Sequence, residues 1–492
     1  MLKISPDFYE HRRLRQWLPI SIIMLLAATL YLYKLEQRGL WIDEFISISD
    51  AQDISFNRGR LLYYILLHFW MLFGNSDAWL RGLAILFALG SIFLVYQLGR
   101  YLFTDAIGLM AALMLALSPL FINHAQEVRY YTMSVGLGLA GTFALAYALD
   151  HPSNFFSRFL WVFSRFLAII TTPLNGALLF PDLTIVGMKY YRQPTQLIKF
   201  GTAFLFILVA SIPVGLSVKA SSGAHQQILP IPGVNEVLRE LRILTAFSYP
   251  PPPPYLTRFL QIYILLLVAV IGIAVVRKRQ SEKLIWVTAW AFVPTGTILV
   301  FSHLFFSIWN TRYVMLILPY ILILLAIGFR EIWYQWRPVT WGIAVVYTVA
   351  VSSGLFYYYT TQKRYMGGSD HYRRVAQIIN ANEKPNDIIV WSIIHGTALP
   401  LKHYHRGSAP IYVKDLIEVE KNIDNIQKTD VENWLGELPP IKSRLWIVYG
   451  KNNNQVLREV IEEKFLIEID QKVGGLNVFL VQSPPKDSSK IH

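Results

Sequence analysis

Trp79-Leu80-Arg81-Gly82-Leu83-Ala84-Ile85-Leu86-Phe87-Ala88-Leu89-Gly90-Ser91-Ile92-Phe93-Leu94-Val95-Tyr96-Gln97-Leu98 carries a single charge, Arg81, near its start. As a helix rising ~1.5 Å per residue, such a run covers ~30 Å, the hydrocarbon thickness of a bilayer. It is not alone. Apolar runs predict eleven spans: Trp17 to Tyr33, Trp79 to Leu98, Ala106 to Ile122, Tyr131 to Leu149, Phe159 to Ile170, Leu174 to Met188, Phe200 to Leu216, Phe259 to Val276, Leu284 to Phe301, Tyr313 to Gly328 and Val339 to Leu355. The fifth and sixth are short and interrupted. Composition agrees: 54% of the 492 residues are hydrophobic and 16% charged, against roughly 25% charged in a soluble domain. The expected fold is an all-α polytopic membrane bundle of about 11 transmembrane helices, carrying a small C-terminal α/β domain.

Orientation follows from Lys and Arg in the short connections. His11-Arg12-Arg13-Leu14-Arg15 precedes the first span, Lys189-Tyr190-Tyr191-Arg192 follows the sixth, Arg277-Lys278-Arg279 the eighth and Arg330 the tenth. With eleven spans these all face one side, read as cytoplasmic. The expected setting is the plasma (inner) membrane, with the N-terminus cytoplasmic. Residues 34–78, the Asn123 to Tyr130 turn, the 217–258 loop and the C-terminal region then lie on the outer, periplasmic side. A retained anchor fits the N-terminus better than a cleaved signal, since no small-residue cleavage pattern follows Tyr33.

The formal charge of +13 is spread over membrane flanks and needs no nucleic-acid partner. The absence of cysteine excludes thiol catalysis and cysteine-ligated metals. After Leu355 the period changes. Asp387 to Ser392, Pro410 to Val413, Leu445 to Tyr449 and Val478 to Val481 read as strands, with a hairpin expected around Gly474-Gly475. Helices are expected at Tyr372 to Asn380, Asp415 to Ile426 and Gln455 to Lys464. No Gly-rich fingerprint occurs there, so no nucleotide is assigned. The expected domains are 1–358, with a first outer loop at 34–78, and 359–492.

The chemistry-bearing residues gather at the outer face. Asp43 and Glu44 lie in the first outer loop, between Trp41 and Phe45. His124, Gln126, Glu127, Arg129, Tyr130 and Tyr131 lie in or beside the second outer turn, and Arg312 and Tyr313 open the tenth span. A guanidinium fork suits phosphate oxygens. A carboxylate suits removal of a hydroxyl proton, and tyrosines offer flat surfaces to sugar rings. Together they fit an anionic lipid phosphate at the membrane surface. The competing readings are a solvated Asp-Glu pair, a Glu127–Arg129 ion pair holding the turn, and a snorkelling Arg312. His124, His225 and His303 lack ligand spacing and read as structural, and Pro250 to Pro254 as a stiff spacer.

Leu40-Trp41-Ile42-Asp43-Glu44, Leu67-His68-Phe69-Trp70, Arg81, Leu98-Gly99-Arg100-Tyr101-Leu102-Phe103, Ser118-Pro119 and Gln126-Glu127-Val128-Arg129-Tyr130-Tyr131 resemble the PMT/ArnT-like glycosyltransferases of the GT-C class. The resemblance is dense over residues 35–150 and thins afterwards. Two stretches depart from it. Gly59-Arg60-Leu61-Leu62-Tyr63-Tyr64 stands where members often carry a His-Pro-Pro-like run, and Thr171-Thr172-Pro173-Leu174-Asn175 replaces a His-containing turn.

The resemblance implies an enzyme that moves a sugar from a polyprenyl-phosphate donor to a hydroxyl of a lipid, glycan or protein acceptor, with inversion. It implies Asp43 as general base and Glu44 as its orienting or tuning neighbour, with Glu127 joining the site. Arg129, Arg312 and Arg81 are the implied phosphate clamps, beside Tyr130, Tyr131 and Tyr313. A divalent metal ion, if one is used, falls to Asp43, Glu44 and Glu127. The alternative class is a transporter or flippase of lipid-linked or anionic substrates. Its main support is a charged pair, Arg165 and Asp182, at similar depth in the fifth and sixth spans. Unpaired charges there cost at least ~2.5 kcal/mol each, so mutual pairing is expected.

Overall fold

The structure, a computed structural model, describes residues 6–54, 59–221, 229–246, 254–277, 281–361, 371–393, 397–414, 427–438, 444–450 and 455–482. His225, most of the Pro250 to Pro254 run, Lys278, Arg279 and the predicted helix Asp415 to Ile426 lie outside the described residues. The chain divides into two compact units: Met1–Glu36 with Asp50–Tyr365, and Gln37–Ser49 with Met366–His492.

The first unit is helical. All eleven predicted spans fall on helix, but their lengths differ more than the hydropathy suggests. Among the described residues seven helices are long and apolar enough to cross a membrane: Asp77–Leu102, Tyr131–Asp150, Pro194–Leu216, Leu256–Arg277, Glu282–Leu304, Thr311–Gln335 and Arg337–Thr360. An eighth is counted if the bent pair Asp105–Ala116 and Pro119–Ala125 is one span. The predicted fifth span is a 17-residue helix, Phe155–Thr171. The sixth is a 3-10 turn, Pro173–Leu178, leading into a 12-residue helix, Leu179–Tyr190.

The bent pair has a covalent cause. Pro119 cannot continue the helix ladder because it lacks an N–H. Ser118 restarts it as an N-cap, accepting a hydrogen bond from the Phe121 amide, and the axis turns by 63°. Pro119–Ala125 then delivers the chain into the turn that holds Glu127 and Arg129. Close packing below this point depends on small residues: a Cβ at Gly108 would lie 2.4 Å from the Tyr96 carbonyl oxygen, and one at Gly99 2.8 Å from the Gly108 Cα. Only glycine lets the two backbones approach so nearly.

Arg165 and Asp182 pair as the sequence implies. Both are fully buried; Arg165 Nε and Nη2 donate to the two Asp182 oxygens at 2.7 and 3.0 Å. The Trp161 and Trp290 indoles also donate to that carboxylate, at 2.8 and 2.9 Å. Nη1 and Nη2 also donate to the Gly138 carbonyl and the Thr142 hydroxyl. A buried pair this heavily hydrogen-bonded acts as a fastener between helices.

The second unit is a five-stranded sheet, β1 Ile388–Ser392, β2 Ile411–Val413, β3 Arg444–Gly450, β4 Leu466–Val473 and β5 Leu476–Gln482, in the order β2-β1-β3-β5-β4. β1 runs parallel to β2 and β3, and β5 antiparallel to β3 and β4. Strand alternation splits the core in two. Ile389, Trp391, Trp446, Val448, Val478 and Leu480 pack on one face with Val375 and Ile379 of the His371–Asn382 helix and Leu401 of the Leu399–Tyr404 helix. Val390, Leu445, Ile447, Phe479 and Val481 pack on the other with Trp434 and Val460 from Lys428–Gly436 and Gln455–Lys464. The predicted hairpin is β4–β5; its connection needs the left-handed Gly474, at φ +62°.

Candidate active site

Asp43 and Glu44 occupy the first turn of the Ile42–Gln52 helix, where the macrodipole favours negative charge. Consecutive helical positions point ~100° apart, so the two carboxylates meet different surroundings. Glu44 is fully buried and accepts a hydrogen bond from the Trp41 amide at 3.0 Å, which makes it half of a capping box. Asp43 is half-buried.

The turn after the Pro119–Ala125 helix belongs to the first unit. Gln126 anchors it by donating to the Tyr31 and Tyr33 carbonyls at 2.8 and 3.0 Å and accepting from the Tyr358 hydroxyl at 2.7 Å. Glu127 is buried, accepting from Asn123 Nδ2 at 2.9 Å and lying 3.0 Å from His124 Nδ1. His124 is thus a partner of Glu127, in line with its structural reading. Arg129 lies with its guanidinium 5.6 Å from both the Tyr130 and Tyr131 ring centroids. Arg312 arrives from the Thr311–Val314 turn, capped by Asn310, and donates to the Tyr131 hydroxyl at 3.0 Å.

Arg60 completes the group and was not among the residues singled out from the sequence. Its guanidinium stands 4.7 Å from the Tyr130 ring centroid. It adopts a left-handed conformation, φ 92°, immediately before the Leu61–Met71 helix. For a residue other than glycine this costs roughly 1–3 kcal/mol. The available signal was a basic residue ahead of Tyr63-Tyr64, in the very stretch that departs from the family pattern.

The charges leave an electrostatic mark. Burial alone would push the Tyr130 phenol up, but the Arg60, Arg129 and Arg312 guanidiniums outweigh it and hold Tyr130 below its usual value. Arg60, Tyr64, Tyr130 and Tyr313 line a cavity of about 610 Å³ with Asp50 and an apolar wall that includes Leu174, Phe301, Phe306 and Ile308. Arg129, Arg312, Tyr130 and Tyr131 thus lie beside Arg60, with the Arg312 guanidinium 5.8 Å from the Tyr313 ring centroid.

Arg81 is used otherwise. It is fully buried and donates to the Leu35 carbonyl at 2.7 Å. The expected carboxylate set is also a poor metal site. Among the described residues no group of three or more histidine, aspartate or glutamate side chains could hold an ion, and Glu44 and Glu127 already accept the bonds given above.

No family model and no curated protein matches the sequence. Solved structures do match. The chain is similar to ArnT from Cupriavidus metallidurans bound to undecaprenyl phosphate, with a TM-score of 0.60 at 14% identity over 94% of this chain and 97% of that one. The chain has the GT-C fold. It is also similar to the Archaeoglobus fulgidus oligosaccharyltransferase tethered to an acceptor peptide, with a TM-score of 0.54 at 9% identity over 94% of this chain and 74% of that one. Arabinofuranosyltransferase AftD from Mycobacteria gives a TM-score of 0.50 at 13% identity; 96% of this chain is matched but only 40% of AftD. The match to ArnT covers 94% of this chain, well past residues 35–150, where sequence resemblance is dense.

Proposed function

We propose that the protein is a membrane glycosyltransferase that moves a sugar from a polyprenyl-phosphate donor to an acceptor hydroxyl at the outer face of the plasma membrane. The observation that carries this is the gathering of Arg60, Arg129 and Arg312 on the Tyr130, Tyr131 and Tyr313 phenols beside a largely apolar cavity. Guanidiniums suit the phosphate, the phenols the sugar and the apolar wall the first isoprene units. ArnT has been crystallised with undecaprenyl phosphate, a ligand of the same chemistry.

In the reaction, Asp43 takes the proton from the acceptor hydroxyl as its oxygen attacks the anomeric carbon. The carbon–oxygen bond to the phosphate breaks, and its electron pair leaves with the lipid phosphate. The arginines stabilise that growing charge, which is where preorganised donors lower a barrier most. Inversion at the anomeric carbon follows from a single displacement. Glu44 holds the helix end that presents Asp43. The Archaeoglobus oligosaccharyltransferase was crystallised with zinc; among the described residues here no group of three histidine or acidic side chains is placed to hold an ion, and no step is routed through one.

The topology that accompanies this reading has eleven crossings, with the N-terminus cytoplasmic and the sheet domain outside. Phe155–Thr171 and the Pro173–Tyr190 segment would cross as short elements fastened by Arg165 and Asp182. Their mutual pairing supports a structural role for them over a transport pathway. Purified protein in vesicles with radiolabelled polyprenyl-phosphate sugar tests the function. Sugar transfer with equal release of polyprenyl phosphate is expected; lipid movement between leaflets without transfer would overturn the enzyme in favour of a flippase.

A further inference from the structure

The stretch that carries Asp43 folds as part of the sheet unit. Its backbone is tied there at successive points. Arg373 Nη2 donates to the Arg38 carbonyl at 3.3 Å, and the Leu40 amide donates to the Tyr404 hydroxyl at 2.9 Å. Phe45, buried, is caged edge-on by Tyr372, His403 and Tyr404, with ring centroids 5.9, 5.6 and 5.7 Å away. Arg373 stands 5.6 Å from the Tyr404 ring centroid, bracing the same tyrosine. Asp43 is therefore three residues from one tether and two from the next, on a helix end closed by Glu44. It cannot shift without breaking one of them.

We infer that the sheet domain is the positioning device for the Asp43 carboxylate, with Tyr404 as its principal residue. This rests on the reading of Asp43 as general base. A base acts only within hydrogen-bond reach of the proton it removes, and ~1 Å of misplacement can cost about 10²-fold in rate. Tyr404 meets the loop twice, through its hydroxyl at Leu40 and its ring at Phe45. The helices and strands after Met366 thereby gain a role in chemistry through Asp43, without themselves contributing a group that touches substrate.

Tyr404→Phe keeps the ring and deletes the Leu40 bond. The expected result is a kcat lowered about fivefold, with donor KM unchanged and the thermal midpoint of the full chain lowered by no more than the loss of one neutral hydrogen bond allows. In an Asp43→Asn background the same substitution should lower the residual turnover no further, because Tyr404 acts through Asp43. Equal losses in both backgrounds, or wild-type kcat for Tyr404→Phe while Asp43→Asn is inactive, would overturn the positioning role and leave the base reading standing. Wild-type turnover by Asp43→Asn would overturn both. Should Tyr404→Phe fail to fold, Arg373→Met, which removes the Arg38 tether, decides by the same readouts.

Discussion

The Arg60 guanidinium stands 4.7 Å from the Tyr130 ring centroid, joining a residue before the Leu61–Met71 helix to one that opens Tyr131–Asp150. The contact is held against backbone strain at Arg60, where φ is 92°. Strain of this kind persists where surrounding structure imposes it and is concentrated at functional sites. Here it brings a third positive charge to the tyrosines that Arg129 and Arg312 already approach, and the lowered Tyr130 phenol registers all three.

Arg60→Gln should raise the donor KM and lower kcat, by roughly 10²-fold if Arg60 meets the departing phosphate, while leaving the acceptor KM nearly unchanged. The same variant should move one phenol ionisation upward in an ultraviolet titration, since the Arg60 charge that holds the Tyr130 phenol down is gone. Arg129→Lys keeps charge but loses the fork and should show the same kinetic split, with Arg312→Lys weaker. An effect confined to acceptor KM would assign the arginines to the other substrate.

Asp43→Asn and Glu44→Gln should separate base from cap. Loss of a general base lowers turnover by about 10²- to 10⁴-fold, with the protein still folded and inserted. Glu44→Gln retains an acceptor for the Trp41 amide, so it should keep most turnover and cost about 1 kcal/mol of stability. The reverse pattern would exchange the two roles.

The sheet was legible because strand alternation and the Gly474-Gly475 turn are local signals, and each predicted strand is found within a residue or two. The helices were legible as apolar runs, but not their lengths, because hydropathy does not register the break at Ser118-Pro119 or the 3-10 turn after Thr172. Arg129, Arg312 and their tyrosines could be singled out because they border predicted spans. Arg60 was missed because its partner is far along the chain, and proximity to Tyr130 is a product of packing alone. The Glu44 cap could have been read from its spacing to Trp41. The Tyr404 tether could not, since 364 residues separate it from Leu40.

Glu383 makes the sheet unit sensitive to acid. Burial would raise its carboxyl, but the 2.5 Å contact with His405 and the Ser408 and Ala409 amides outweigh that and hold it below the ordinary 4.5. A depressed carboxylate contributes stability that is present above its unfolded value and lost as pH falls through the folded one. Amide-exchange protection at Ser408 and Ala409 should therefore fall below pH 4.5, and Glu383→Gln should flatten that dependence. Protection that stays constant into acid would remove Glu383 from this role.

The cysteine-free sequence allows topology to be read without background. Cysteines placed singly at Asn75 and Ser408 should react with a membrane-impermeant thiol reagent in intact cells or spheroplasts, and one at Ser281 should not. Labelling at Ser281 alone would invert the orientation.

Arg165 and Asp182 give the sharpest test of the short helices. Each is fully buried, and each supplies the other's counter-charge at 2.7 Å. Removing one partner strands the other in a medium that cannot solvate it, a loss of about 3–5 kcal/mol for a broken buried pair. Arg165→Leu leaves Asp182 with only the Trp161 and Trp290 indoles, and Asp182→Leu leaves Arg165 with the Gly138 carbonyl and the Thr142 hydroxyl. Each should lower the thermal midpoint and the amount of protein in the membrane. The double substitution leaves two indole donors to satisfy but no stranded charge, so it should recover part of the loss. Additive losses across the cycle would mean that the pair does not act as a fastener, and a charged pathway through these helices would regain its case.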